Sequence, residues 1–415
     1  VNAERLLQRF LRYVCIDTTA RDDAEGYPSS PGQLELGRLL VEELRAMGIR
    51  DARQDDYGIV LATVPAAGAE GPAIALCAHL DTSPETSGAG VRPQVVRGYR
   101  GGDLVLPGDP SRVIRAAECP ELAALAGRTL ITSDGTTLLG ADDKAGLAVI
   151  METAAWLMEH PGICHGPIRL ALTCDEEIGR GVDHLDPEQL QAVACYTLDG
   201  SGADTIDVET FSADLAVVTL RGVNIHPSVA KGRMVNAVRA AAAFLRRLPH
   251  TTLSPETTEG REGFLHPYEM RGGVAEVQIK VLLRQFDTAG LDGLAELLRR
   301  AAADTLTEFP AAAIHVDVRP QYRNMAEGLA REPRAVAYAQ QALQRLGRSA
   351  RRTVVRGGTD GSRLTALGLP TPNLSTGQHT PHSLLEWACL EEMVMACQWL
   401  VSIAEVWAEE SESKD

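Results

Sequence analysis

The chain has 415 residues, 45% hydrophobic and 23% charged, which excludes a disordered chain, a collagen-like fibre and a coiled coil. Lysine plus arginine number 40 against 56 aspartates and glutamates, and the resulting formal charge of −16 repels nucleic acid. No stretch approaches the roughly 18 uncharged apolar residues of a membrane helix, and eight scattered cysteines without CxxC spacing read as reduced core thiols, so a cytoplasmic protein with no membrane or nucleic-acid partner is expected.

In chain order, Leu6, Leu7, Phe10, Leu11 and Val14 fall at helical spacing in an amphipathic, charge-bearing segment unlike a signal peptide, and residues 34–47 repeat the pattern up to Gly48. Short apolar runs at 59–64, 73–80, 168–173 and 194–198 predict strands, with a helix at 144–159 among them. Strands alternating with helices imply an α/β fold around a mixed, mostly parallel sheet. From about 209 to 319 the order changes to strand (215–221), helix (236–248), two strands (268–271 and 274–286, hinged at Gly272 and Gly273), helix (291–309) and strand (312–318). That order, β-α-β-β-α-β, is a ferredoxin-like α+β unit. Residues 334–346 then read as helix, 353–356 as strand and 385–408 as a closing helix before a frayed acidic tail. The main domain is thus built from 1–208 and 320–415, with an inserted domain at 209–319.

Several chemistries lack their residues. There is no G-x-x-x-x-G-K-[ST] phosphate loop, no G-x-S-x-G and no H-E-x-x-H, and the loop Arg356-Gly357-Gly358-Thr359-Asp360-Gly361 lacks the dinucleotide spacing. What remains is a set of acids and histidines at the ends of predicted strands, where open α/β sheets bind ligands. His79-Leu80-Asp81 closes an apolar run, and residues two apart in an extended chain point the same way, so Asp81 can orient a ring that His79 offers to a metal. His-x-Asp recurs twice with plainer explanations. His315 and Asp317 occupy the polar face of a half-buried strand, and Asp186 before Pro187 is a helix cap.

Asp142 and Asp143 open a helix beside Lys144, a cation among acids in a chain whose other lysines are Lys231, Lys280 and Lys414. A cap explains one of these carboxylates, whereas a bound cation explains both and lets Asp142 bridge two ions. Asp175, Glu176 and Glu177 follow another apolar run, and because neighbours point different ways one glutamate can bind metal while the other acts as general base. Asp199 ends a further strand. Residues 376–386 supply His379 and His382, either of which alone is more often a surface histidine. His79 with one of these histidines, plus Asp142, Asp199 and one glutamate, gives each of two metals a histidine, a carboxylate and the shared acid, leaving room for a water. Mixed nitrogen and oxygen donors suit zinc, with cobalt or manganese as substitutes.

These residues, with 78–84 (Ala-His-Leu-Asp-Thr-Ser-Pro), 99–103 (Tyr-Arg-Gly-Gly-Asp), 137–146 (Thr-Leu-Leu-Gly-Ala-Asp-Asp-Lys-Ala-Gly), 175–179, 226–236, 356–361 and 368–373, resemble the M20 metallopeptidases over almost the full length. The long segment between Asp81 and Ile131 is similar to the tripeptide aminopeptidases of that family and unlike its more compact members. The resemblance implies a zinc-peptidase catalytic domain with an inserted dimerisation and lid domain. It implies two zinc ions per subunit on His79, Asp142, Glu177, Asp199 and His382, with Glu176 as the base, Asp81 in a catalytic role and a cis peptide after Asp142. The family's histidine followed four residues later by glutamate and an aromatic residue matches His382, Glu386 and Trp387, which favours His382 over His379. It further implies a homodimer in which His226 reaches the partner's site to stabilise the oxyanion, although the residues alone read as a surface loop.

The implied activity is removal of the N-terminal residue from tripeptides, with Arg284 and Arg356 as candidates to bind the free carboxylate. Arg284-Gln285-Phe286-Asp287 departs from the Arg-Asp-Phe-Asp usual in that branch, which alters the local orienter of Arg284. The same centre serves dipeptidases, carboxypeptidases and N-acyl amino acid deacylases. A non-catalytic metal-dependent peptide-binding protein is the alternative of another class, and the retention of Glu176 beside Glu177 speaks against it.

Overall fold

The computed structural model describes residues 1–68 and 71–412. The chain forms two compact units, one of residues 1–208, 325–353 and 359–415, the other of residues 209–324 and 354–358.

In the first unit the strands Ile168–Thr173, Ile74–His79, Cys195–Ser201 and Asn373–His379 lie side by side and parallel. Antiparallel strands extend both flanks: Val60–Val64 beside Ile168–Thr173, and Trp387–Cys389, Leu130–Thr132 and Gln94–Val96 beyond Asn373–His379. Ile74–His79 is apolar up to its closing histidine and Ile168–Thr173 is mostly so, without alternation, because both faces of the sheet are covered. Leu76 and Ala78 enter the main core with Leu147, Ile150 and Met151, while Ala75 and Cys77 join Ala171, Val182 and Leu364 on the other face.

The helix Ala141–Glu159 is buried on almost every side and packs against three of the parallel strands and the helices Ala3–Val14 and Leu390–Glu412. Gly146 permits the approach, since a Cβ there would lie 2.0 Å from the Leu198 carbonyl oxygen. Asp142 and Asp143 have non-helical dihedrals, so the regular helix begins after them. Further along, the fully buried Glu152 accepts from the Asn2 N–H at 2.9 Å, from Arg5 Nε at 2.7 Å and from Arg9, which ties the first helix to this one. Replacing Glu152 by alanine strands the buried Arg9 guanidinium without its nearest carboxylate. The expected result is a loss of about 3 kcal/mol in urea unfolding, and an unchanged midpoint would show the network to be idle.

Among the elements that differ from the sequence expectation, two lie next to the site. Residues 385–408 read as one helix, yet Trp387–Cys389 is a strand paired with Leu130–Thr132 and the helix is Leu390–Glu412. The apolar pattern runs through both, so periodicity does not separate them. Asn373–His379 is a central strand that carries buried Asn373, Ser375, Thr376, Gln378 and His379, and this polarity hides it from a search for apolar runs. The acidic tail continues as helix to Glu412, and residues 413–415 lie outside the described residues. The eight cysteines are free thiols, but Cys15 and Cys164 are exposed and only five are buried. Among the described residues no helix is long and apolar enough to cross a membrane.

The second unit is a four-stranded antiparallel sheet in the order Phe264–Gly272, Glu276–Gln285, Ser212–Arg221, Ala313–Tyr322. The helices Ala237–Arg246 and Gly290–Glu308 bury Ala240, Phe244, Leu294 and Leu298 against Val218, Leu220, Ile279 and Val281. In chain order this is β-α-β-β-α-β, the ferredoxin-like arrangement. Gly272, at φ +139°, makes the turn between its hairpin strands, where a Cβ would meet the Glu276 carbonyl oxygen at 2.2 Å.

Candidate metal centre

The parallel strands of the first unit deliver their acids at their C-terminal ends. His79 is the last residue of its strand and 2% exposed. Its Nδ1 lies 3.1 Å from the Asp81 carbonyl oxygen and 3.4 Å from Asp81 Oδ1, and its Nε2 lies 3.1 Å from Asp142 Oδ1 and 3.9 Å from Asp199 Oδ1. The second oxygen of Asp142 faces His382 Nε2 at 3.3 Å, and the same nitrogen lies 2.9 Å from Glu177 Oε2. His79, Asp142, Glu177, Asp199 and His382 are therefore neighbours. His379 points elsewhere, bonding Glu392 Oε2 through Nε2 at 2.7 Å and stacking on Trp387 at 3.7 Å.

Asp81, fully buried, accepts the N–H groups of Glu176 and Glu177 at 3.0 Å each, so one carboxylate positions both the His79 ring and the acidic turn. Asp143 points inward and accepts from the His79 N–H at 3.2 Å. The Asp142–Asp143 peptide is cis. Glu386, 1% exposed, accepts the N–H groups of Leu139, Gly140 and Asp142 at 2.8, 2.7 and 2.9 Å, which holds the turn that presents Asp142. Gln378 donates to Asp199 Oδ1 at 3.3 Å, and Asn373 Oδ1 accepts the Asp199 N–H at 3.0 Å. Lys144, buried beside the acids, donates to the Ile16 carbonyl at 2.7 Å, and burial draws its ammonium down to about 8.

The electrostatics state what the pocket lacks. Burial first, and the Asp142 charge second, push Glu177 up to about 8 and Asp199 up to about 7, while burial pushes Glu176 well above the carboxylate range. His382 is raised to about 11 by Asp142 and then Glu177. Burial pulls His79 down, but Asp142, Asp199 and Asp81 outweigh it and raise the ring well above its ordinary value. Burial raises Asp142 as well, but His382 and His79 outweigh it and hold this carboxylate below its ordinary range, so the shared acid stays charged while Glu176, Glu177, Asp199 and both imidazoles gain affinity for protons, as a nest of carboxylates does when positive charge is needed. Divalent cations would displace those protons. Ligand atoms of His79, Asp142 and Glu177 lie within 4.8 Å of one another, as do those of His79, Asp143 and Asp199. Among the described residues, the buried Glu177 Oε1 has no hydrogen-bond partner, an orphan that a cation would satisfy. The donor set fits metal.

The model of peptidase family M20/M25/M40 matches residues 138–406. The chain belongs to this family. It is 40% identical over 409 residues to peptidase T of Geobacillus kaustophilus, covering 98% of this chain and 99% of that one. With peptidase T of Desulfitobacterium hafniense the identity is 41% over 406 residues, and 98% of each chain is covered. Among solved structures, the aminopeptidase PepT from Bacillus cereus matches with a TM-score of 0.76 and 26% identity, covering 98% of this chain and 99% of that one. An M20 peptidase of Bacillus subtilis described as binding a dinuclear metal shares the fold at a TM-score of 0.63 and 15% identity, with 98% of each chain covered. As an M20 chain the protein is a hydrolase of the peptidase type, with the family's mixed α/β domain and an inserted α+β unit.

The remaining residues singled out from the sequence lie in the second unit. His226 is exposed, and its Nδ1 lies 2.7 Å from the Ser228 hydroxyl and 3.3 Å from the Ser228 N–H, which leaves Nε2 outward. Arg284 is buried against the Tyr322 ring and donates to the Leu283 carbonyl at 3.1 Å. Arg356 donates to the carbonyls of Gly260 and Glu262 at 3.0 and 2.8 Å and to Thr258 Oγ1 at 2.9 Å, between the rings of Phe211 and Phe264. Both its terminal nitrogens hold the 258–262 loop. In the sequence Glu386 served only as a spacing mark and Asn373 only as the end of a segment shared with the family, and no role was legible for Gln378. The spacing of His382 to Glu386, four residues, is the one signal that pointed to the first.

Proposed function

We propose that this chain is a metallo-aminopeptidase that removes the N-terminal residue from tripeptides. The observation that carries the proposal is Asp142, which offers one oxygen to His79 at 3.1 Å and the other to His382 at 3.3 Å, with Asp199 beside the first histidine and Glu177 beside the second. A carboxylate shared in this way suits two cations, the first on His79, Asp142 and Asp199, the second on His382, Asp142 and Glu177. Zinc fits these donors, with cobalt or manganese as replacements. Held there, two such cations would acidify a water and polarise the peptide carbonyl.

Glu176 is the general base in this reading, taking the proton of the attacking water and passing it to the leaving amine. Asp81 keeps the His79 ring and the 176–177 turn in register. In a homodimer built through the inserted unit, His226 of the partner subunit donates from Nε2 to the oxyanion. Arg284 and Arg356 are the candidates for the peptide carboxylate. The tripeptide class follows from the relatives, which are called peptidase T, and from a tripeptidase of Staphylococcus aureus with a TM-score of 0.76 and 26% identity. Eight free thiols suit a cytoplasmic location.

Metal analysis joined to a tripeptide assay tests the proposal. Two metal ions per chain, loss of activity on chelation and recovery with zinc are expected. Tripeptides with a free N-terminus should be cut and acetylated ones spared. Cleavage of the acetylated peptides would assign a deacylase, release of the C-terminal residue a carboxypeptidase, and full activity in the metal-free chain would end the reading.

A further inference from the structure

The turn that carries Glu176 and Glu177 is held from two sides. Asp81 takes its N–H groups, and on the other side stands Asp175, a non-glycine residue at φ +61° immediately before Glu176. The Asp175 carboxylate is fully buried and engaged by another segment of the chain. The Ser29 N–H donates to Oδ2 at 2.7 Å, and Gln33 Nε2 donates to Oδ1 at 2.7 Å, joined there by the Ser29 hydroxyl. In return Gln33 Oε1 accepts the Asp175 N–H at 3.0 Å. Nearby, the Tyr27 hydroxyl donates to the Cys174 carbonyl at 2.9 Å.

One side-chain amide thus bonds both the backbone N–H and the carboxylate of a single residue, which restrains the φ and the side-chain torsions of Asp175 together. Gln33 is 0% exposed, yet the helix Pro31–Ala46 is already packed by Leu36, Leu40 and Leu44, so this amide is not needed for the helix core. Its bonds run to Asp175 and, more weakly, to Ser29 and Ser30.

We propose that Gln33, with Ser29, is a positioning residue for the hydrolytic reaction, setting the backbone of Asp175 and through it the direction of the Glu176 side chain. The inference rests on Glu176 being the base. Misplacing a reacting group by about an ångström costs on the order of 10²-fold in rate, so Gln33→Met is expected to lower kcat on a tripeptide by about 10–100-fold. KM and metal content are expected to stay near those of the parent, because Gln33 bonds none of the metal-binding carboxylates and Asp81 still holds the N–H groups of Glu176 and Glu177. Gln33→Glu combined with Asp175→Asn exchanges donor for acceptor across the pair and should recover kcat, which loss of fold stability alone would not predict. In a Glu176→Gln background, Gln33→Met should have no further effect.

An unchanged kcat in Gln33→Met, or a fall that tracks loss of bound metal, overturns the proposal. If Gln33→Met does not fold, Ser29→Ala takes its place, and an unchanged kcat there overturns it equally. Glu176→Gln in the same assay separates the two levels. If it turns over normally, the base assignment falls and takes the inference with it; if it is inactive while Gln33→Met is normal, the inference alone falls.

Discussion

Replacing Glu176 by glutamine is expected to lower turnover on a tripeptide by about 10²–10⁴-fold, the contribution of a well-placed general base, with the bound metal retained. The expectation rests on a division of labour between neighbours. Glu177 is the glutamate that faces His382 and Asp142 at ligand distance, whereas Glu176 is absent from both groups of clustered ligand atoms. The turn itself is held through backbone N–H groups and through Asp175, so the Glu176 side chain is free of that task. Burial raises its affinity for a proton, as a carboxylate that must collect one from water requires. Glutamine keeps the shape and removes only the basic oxygen. The measurements are kcat and metal content on the same preparation. Normal turnover would end the base assignment, and loss of a metal would make Glu176 a ligand instead.

Glu386→Ala is expected to act on both metal retention and stability. Three buried N–H groups, those of Leu139, Gly140 and Asp142, would lose their acceptor. At about 1–3 kcal/mol for each buried donor left unpaired, the unfolding free energy should fall by roughly 3 kcal/mol or more. The turn that aims Asp142 would then relax, and because Asp142 serves both histidines the loss should reach both metals. Outer partners of this kind are worth about 10–100-fold in metal affinity. Competition against a chromophoric chelator measures the first effect and denaturant unfolding the second. Glu386→Gln, which keeps one acceptor oxygen, should fall between alanine and the parent, and an unaltered metal affinity in the alanine variant would refute the role.

Much of the centre was legible in the residue order because its chemistry needs charged side chains where a buried strand has just ended. His79, Asp199 and the 175–177 acids each follow an apolar run that a surface loop would not share. The two other His-x-Asp pairs were separable on the same ground: Asp186 caps a short helix by accepting the Glu188 N–H, and His315 lies on a strand of the second unit. The choice between His379 and His382 was not legible from local pattern. It came from likeness to relatives, and in space the two rings part company, one stacked on Trp387 and the other facing Asp142.

What the sequence by itself determined is the α/β alternation, the β-α-β-β-α-β insert and the identity of the acids and imidazoles available for metal. Each of these follows from periodicity or from residue type at a strand end, and both are local. Only the tertiary structure decided which groups hold those acids in place: Glu386 beneath Asp142, Gln378 beside Asp199, and Gln33 against Asp175, partners 244, 179 and 142 positions apart in the chain. A hydrogen bond to a distant backbone N–H or carboxylate leaves no repeat and no composition bias along the chain. Its partner is fixed only when the packed sheet and helices bring the two ends within about 3 Å.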